Sequence, residues 1–266
     1  MLYIRFFLED IDDYCYLCEF KKLVLEPAVR GTMNVMNVAV EVKVPRVVFT
    51  STMAVTYMDP NRNPDKVVDE TCWSDFNYVR NIQDWYCYGK ILAENTAWEV
   101  ARKRRVDLVT VIPPLTIGPL LQPNVNASIV HILKFLNGRN KTYGNAVQGY
   151  VHVKDLALAH ILVYENHRRR AGTFASKACV TDMRLCSDEV NPRVKPYKFS
   201  NKRLKDLGLT LTPVKQALYD TVISLQQNGH LIVFPQSNTS PNVSDCQSWP
   251  SKPALAIGSS RISPRL

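Results

Sequence analysis

Apolar positions recur at helical spacing between residues 26 and 43, where Val29, Met33, Met36 and Val40 would share one face. The pattern then changes: residues 46–52 (Arg-Val-Val-Phe-Thr-Ser-Thr) read as a buried strand that ends in hydroxyl residues. Residues 58–84 are polar, rich in Asp, Asn and Pro, and are predicted as a long loop. A second helix is predicted over 85–105, followed by a buried strand at 107–112 that Pro113 and Pro114 stop. A helix near 125–136, a short strand at 149–153 and a helix at 154–164, with Asp155 near its start, complete the regular part. Helices alternating with continuously apolar strands predict an α/β fold whose parallel sheet is covered on both faces.

The two ends of the chain carry less pattern. Residues 1–24 are aromatic and irregular, and residues 171–190 lack a clean period. A helix is predicted over 212–227, with Thr212 as N-cap, Pro213 at the first position and Gly229 just beyond the end. From Ile232 onward Ser, Pro and Asn dominate, which predicts disorder. The expected organisation is an irregular segment at 1–24, a main α/β unit at 25–165, a second lobe at 166–231 and a tail at 232–266. There are no internal repeats.

A chain of 266 residues can bury one sizeable core, and no window approaches the length of an apolar membrane span. The N-terminus lacks a small-residue cleavage site, so a cytoplasmic protein is expected. The net charge of +9 draws on Arg102–Arg105 and Arg168–Arg170, runs without the interleaved aromatics of a nucleic-acid platform. They read as solvated surface, with attraction of a phosphate-rich substrate as the functional alternative. Seven cysteines are scattered along the chain, and the lone pair Cys15 and Cys18 has no second pair or histidines at zinc spacing. No metal site is predicted; His131, His152 and His160 read as ordinary helix and strand residues.

Chemistry concentrates in Tyr86-Cys-Tyr-Gly-Lys90, at the start of a predicted helix, with Thr50, Ser51 and Thr52 upstream at a strand end. Residues four apart share a helix face, so Tyr86 and Lys90 point the same way and Tyr88 does not. A phenol titrates too high in water to exchange protons readily at neutral pH, and a neighbouring ammonium favours its ionised form. A strand-end hydroxyl could hold a carbonyl oxygen while a phenol protonates it. A second Tyr-x-x-x-Lys, Tyr150 to Lys154, straddles a strand and a helix start with no such hydroxyls before it, and reads as structural. Cys87 reads as packing, and Trp85 and Trp98 as core.

The stretch Asp84-Trp-Tyr-Cys-Tyr-Gly-Lys90 resembles the signature of plant cinnamoyl-CoA reductases, members of the extended short-chain dehydrogenase/reductase family close to dihydroflavonol 4-reductases. Val48-Phe-Thr-Ser51, Val68-Asp-Glu-Thr-Cys-Trp-Ser-Asp75 and Tyr150-Val-His-Val-Lys-Asp155 extend the resemblance, which spans roughly residues 25–232. It implies a Rossmann-type NADP(H)-binding domain with a smaller substrate lobe, and reduction of hydroxycinnamoyl-CoA thioesters to cinnamaldehydes. By position it makes Tyr86 the proton donor and Lys90 the residue that lowers its pKa and binds the nicotinamide ribose. Thr52 falls where the family usually has serine. Thr50 and Ser51, Pro113, Pro114, Leu115 and Thr116, and Ser128 match cofactor-side positions.

The departures are as informative. None of the ten glycines forms a Gly-x-Gly, so the turn that holds a dinucleotide's pyrophosphate is absent, with most of the first four strands. Connecting sequence between Cys179 and Cys186 is also shorter than in the family. The expected sheet is therefore partial, with one open edge, and both its stability and its NADPH affinity are expected to be low. Two alternatives follow: a catalytically silent partner of a full-length paralogue, or an enzyme resembling dihydroflavonol reductase.

Overall fold

The computed structural model describes residues 21–63, 65–137, 148–166, 172–175, 179–181 and 198–231. The expectations for the first twenty residues, for Arg168–Arg170 and for the tail from Ile232 fall outside these.

Strand β1 (Val47–Thr50) pairs in parallel with β2 (Leu108–Ile112), Val47 opposite Leu108 and Thr50 opposite Val111. On its other side β2 pairs in parallel with β5 (Gly172–Ala175), which gives the order β1-β2-β5. Every residue of β2 is buried, and side-chain alternation divides them between two cores. Val109 and Val111 face helix α6 (Val153–Glu165), packing with Ala159 and Val163. Leu108 faces α1 (Glu26–Glu41) and α4 (Trp85–Arg104), packing with Met36, Ala97 and Ala101. The sheet is thus covered on both faces, as its continuous apolar strands require. β1 is mostly half-buried, and among the described residues β2 is its sole strand partner.

α1 does not present the face that periodicity alone predicts. Met36 and Ala39 are buried, but Met33 is 43% exposed. Ala39, Ala97 and Ala101 are small, so the two helices approach closely along that stripe, and Met33 lies outside it. A π-helical turn, Lys21–Leu25, runs straight into α1, so the chain is already helical at residues expected to be irregular. Leu25 packs on α4: a Cβ added to Gly89 would lie 3.0 Å from Leu25 Cδ2. The polar stretch at 58–84 also hides a helix, α3 (Phe76–Asn81), after the short α2 (Ala54–Tyr57). Asp75 caps α3 by accepting from Tyr78 N–H, and Val79 is its buried anchor.

A second sheet pairs β3 (Leu115–Ile117) with β4 (Gln148–His152) in parallel, and β4 with β6 (Cys179–Thr181) in antiparallel. Helices α5 (Ala127–Leu136) and α8 (Val214–Gln227) cover it through Ile117, Ile129, Tyr150, Ala217 and Leu225. A short α7 (Lys202–Asp206) precedes α8 and sends Leu204 into the first core.

α8 is held by polar as well as apolar contacts. Gly118 N–H donates to Thr221 Oγ1 at 2.7 Å, and Leu120 N–H to Ser224 Oγ at 2.8 Å. Lys154 N–H donates to His152 Nδ1, so His152 Nε2 carries the proton and donates to Asp220 Oδ2 at 3.2 Å. Thr212 is not the N-cap: Pro213 takes that place, without a side-chain bond. The Thr212 N–H and hydroxyl instead donate to the Asp155 carboxylate at 2.6 and 2.9 Å. A buried acceptor on a neighbouring helix outcompetes the local cap.

Candidate active site

The C-terminal ends of β1 and β2 stay together beyond the strands. Ser51 N–H donates to Val111 O and Met53 N–H to Pro113 O, both at 2.8 Å. Thr52 lies between them. Alternation turns Ser51 inward, where it is buried and its hydroxyl donates to Glu94. Thr52 is left half-exposed, its hydroxyl unpartnered among the described residues.

α4 starts where the sequence predicts, because Asp84 caps it by accepting from Cys87 N–H at 3.0 Å. Lys90, on its second turn, reaches the strand end: its ammonium donates to Thr50 O at 2.8 Å and lies 5.3 Å from the Phe49 ring centre. The Thr50 side chain is engaged elsewhere. Its Oγ1 stands 2.8 Å from His160 Nε2, while His160 Nδ1 faces Leu156 O at 2.7 Å. A carbonyl only accepts, so Nδ1 carries the proton and, in the neutral ring, Nε2 accepts from the Thr50 hydroxyl.

Tyr86 is 49% exposed, and among the described residues its hydroxyl has no partner. Burial of the rest of the ring, then the nearby Cys87 and Asp84, raise its pKa above the ordinary phenol value. The expected lowering by Lys90 is not seen; that ammonium is turned toward Thr50. Lys90 itself is held below the usual lysine value by burial, against an opposing pull from Glu94. Burial, with Asp84 beside it, pushes the Cys87 thiol far up, so it stays protonated and packs in the core with Val79 and Ile91.

The structure therefore gathers Thr50, Ser51, Thr52, Lys90 and Pro113 at one edge of the sheet. Pro114 is buried beside Pro113, and Leu115 and Thr116 follow half-buried in β3. Ser128 sits at the second position of α5, against the other sheet; no hydrogen bond among the described residues ties it to Thr52, Tyr86 or Lys90. In the second Tyr-x-x-x-Lys, Tyr150 is buried in the α5–α8 core while Lys154 is exposed, so the two do not form a pair.

Glu94 escaped the sequence reading. Its signal was present: an acidic residue four beyond Lys90, among Ala93, Ala97 and Ala101 on the inward face of a helix. His160, as the partner of Thr50, had no sequence signal, since the contact joins residues far apart in the chain.

Residues 19–174 match the model of the NAD dependent epimerase/dehydratase family. Cinnamoyl-CoA reductase 2 of Medicago truncatula is 53% identical over 233 residues, which cover 82% of this chain and 69% of the relative. Cinnamoyl-CoA reductase 1 of Petunia hybrida is 54% identical over 231 residues, covering 81% and 69%. Among solved structures, vestitone reductase from alfalfa superposes with a TM-score of 0.69 at 23% identity, over 79% of this chain and 74% of that one. The partial Rossmann-type sheet is thus a shared architecture, and the matches in sequence are much closer than the fold alone demands. By that measure the chain belongs to the NAD dependent epimerase/dehydratase family and, within it, to the cinnamoyl-CoA reductases.

Proposed function

We propose that this protein reduces a hydroxycinnamoyl-CoA thioester to the corresponding cinnamaldehyde with NADPH, releasing CoA, and that Thr52, Tyr86 and Lys90 carry the reaction. The supporting observation is the Lys90 ammonium held at the end of β1 by Thr50 O, two residues before Thr52 in the chain and one helical turn from Tyr86.

The reacting end of the dinucleotide fits the residues present. Lys90 has three donors and spends one on Thr50 O, leaving two for ribose hydroxyls. It stands at the carboxyl end of a parallel sheet, where such folds take ligands. Pro113–Thr116 would line the nicotinamide and Ser128 would serve the phosphate side. The pyrophosphate end has no match, since the ten glycines include no Gly-x-Gly. Weak affinity for the dinucleotide is expected.

When bound, the nicotinamide supplies hydride to the thioester carbon. Thr52 donates a hydrogen bond to the carbonyl oxygen and holds it in reach of Tyr86. Like any phenol, Tyr86 is protonated at neutral pH, the state a donor must start from; burial raises its pKa further. As negative charge develops on the oxygen, the phenol supplies its proton, while Lys90, turned to the strand end, would hold the nicotinamide ribose. Collapse of the tetrahedral adduct reforms the carbonyl as an aldehyde and expels CoA as its thiol. The net change is thioester plus NADPH plus a proton to aldehyde, CoA and NADP+.

Purified protein supplied with NADPH and feruloyl-CoA should consume NADPH and form coniferaldehyde. Tyr86→Phe should lower kcat by about 10²–10⁴-fold with little change in NADPH affinity. An unchanged rate in that variant refutes the assignment. We place the protein in the cytoplasm, which cell fractionation checks; none of the described helices is long and apolar enough to cross a membrane.

A second reading draws on the flank of β1 that no described strand covers. Through it the chain would add to the sheet of a full-length paralogue without turning over itself. Co-purification with that reductase, in the absence of NADPH consumption by the isolated chain, supports this reading over the first.

A further inference from the structure

Glu94 is an ionisable residue with 0% exposure, and the reaction above leaves it without a task. It lies one helical turn beyond Lys90 on α4. One carboxylate oxygen accepts from Ser51 Oγ, and the other from Trp98 Nε1 at 3.3 Å. Thr110 stands beside them in β2. Among the described residues its buried hydroxyl makes no hydrogen bond of normal geometry, yet it favours the charged carboxylate. One carboxyl therefore meets the helix that carries Lys90, the strand end that carries Thr52, and the central strand. A group this deeply buried is costly to keep ionised unless it is fully engaged, and a purely structural contact at this point could be met by apolar packing.

We propose that Glu94 is a positioning residue for the active centre, locking Ser51, and with it the outward aim of Thr52, to helix α4 while its charge keeps the Lys90 ammonium in place at the strand end. The inference rests on reading Thr52 and Lys90 as working residues. The electrostatics agree with the geometry. Burial raises the Glu94 pKa, and Ser51, Trp98, Thr110 and Lys90 oppose the rise. Burial lowers the Lys90 pKa, and Glu94 opposes the fall. Each residue sustains the charged form of the other.

The test reads the coupling directly and needs no turnover. Lysines of the full-length chain are reductively methylated with ¹³C, and the Lys90 resonance is assigned by its absence from Lys90→Met. In Glu94→Gln the Lys90 amine should titrate about one pH unit or more below its wild-type value, the effect expected when an adjacent opposite charge is removed. An unchanged titration overturns the proposal. If Glu94→Gln does not fold, the reciprocal measurement stands in for it. In Lys90→Met the ¹³C-labelled Glu94 carboxyl should titrate higher than in wild type, and an unchanged value overturns the proposal equally. In turnover, Glu94→Gln should lose kcat at least tenfold with a smaller change in KM for NADPH, and Glu94→Asp, which keeps the charge, should recover part of that loss. Intact coupling in a protein that never turns over would sink the reductase reading and leave the Lys90–Glu94 link standing. Turnover without coupling would sink the link alone.

Discussion

Replacing Arg46 with methionine should destabilise the protein by about 3 kcal/mol. The Arg46 guanidinium is enclosed at the start of β1, the residue being only 4% exposed. Its Nε and Nη2 donate to Asp107 Oδ2 at 2.9 and 2.7 Å. Its Nη1 donates to the carbonyls of Val163, Tyr164 and Asn166 at 2.8, 3.2 and 2.7 Å, closing the C-terminus of α6. Methionine keeps most of the apolar stem, so the loss is chiefly electrostatic. Removing one partner of a buried pair costs about 3–5 kcal/mol. The Asp107 side chain is 24% exposed and can regain some water, which places the cost at the lower end. Against a typical total of about 5–15 kcal/mol that is a large fraction. Urea unfolding of wild type and variant at neutral pH, with unchanged m, measures it. The double variant Arg46→Met/Asp107→Leu should regain about 1–3 kcal/mol, because the carboxylate that lost its Arg46 donors is removed with them. A single-variant loss below about 1 kcal/mol would refute the reasoning. The consequence reaches the active centre, since α6 carries the His160 that holds Thr50.

Further outcomes follow from other sites. Gly118→Ala should cost about 2 kcal/mol or more, because Gly118 has φ +130° and a Cβ there would meet Val153 Cγ1 at 2.9 Å; an unchanged urea midpoint would contradict this. Tyr150→Phe should leave stability unchanged or raise it by up to about 1 kcal/mol, since that hydroxyl is buried without a partner among the described residues. It should also leave NADPH consumption intact, and wild-type Tyr150 should ionise only near its raised pKa of about 12 in an absorbance titration. Stability should depend on pH through Glu94 and Lys90 with opposite signs. The folded chain holds the Glu94 proton to higher pH than the unfolded chain, whose carboxyl titrates near 4.5, so stability falls as pH rises from there through the raised value. It releases the Lys90 proton earlier than the unfolded chain, so stability is regained as pH climbs from the lowered value toward 10.5. Urea midpoints across pH should show the acidic-side fall in wild type and lose it in Glu94→Gln; equal slopes would be the contrary result.

The two strands that frame the site were legible because β2 must be apolar on both faces, and Val109 and Leu108 do face different cores. The start of α4 was legible for a local reason, an Asp84 cap ahead of Tyr86. What escaped was decided by partners distant in sequence. Thr212 looked like a cap until Asp155 claimed its hydroxyl, and Met33 fits a helical period that the alanine-lined seam with α4 does not use. α3 was hidden because a short helix with one buried anchor, Val79, is almost as polar as a loop. The site followed the same division. Tyr86 and Lys90 were readable from helix geometry, whereas the turn of Lys90 toward Thr50 and the burial of Glu94 depend on how α4 lies against the sheet.

The polar grip on α8 has a consequence for how the chain can be shortened. Because Thr221 and Ser224 satisfy the backbone of Gly118 and Leu120, this helix works as a rivet through the segment that follows β3. Leu231 still packs on the cluster that α8 closes. Stop codons that clip back into the helix should therefore free the β3–α5 connection, which a lowered urea midpoint would register.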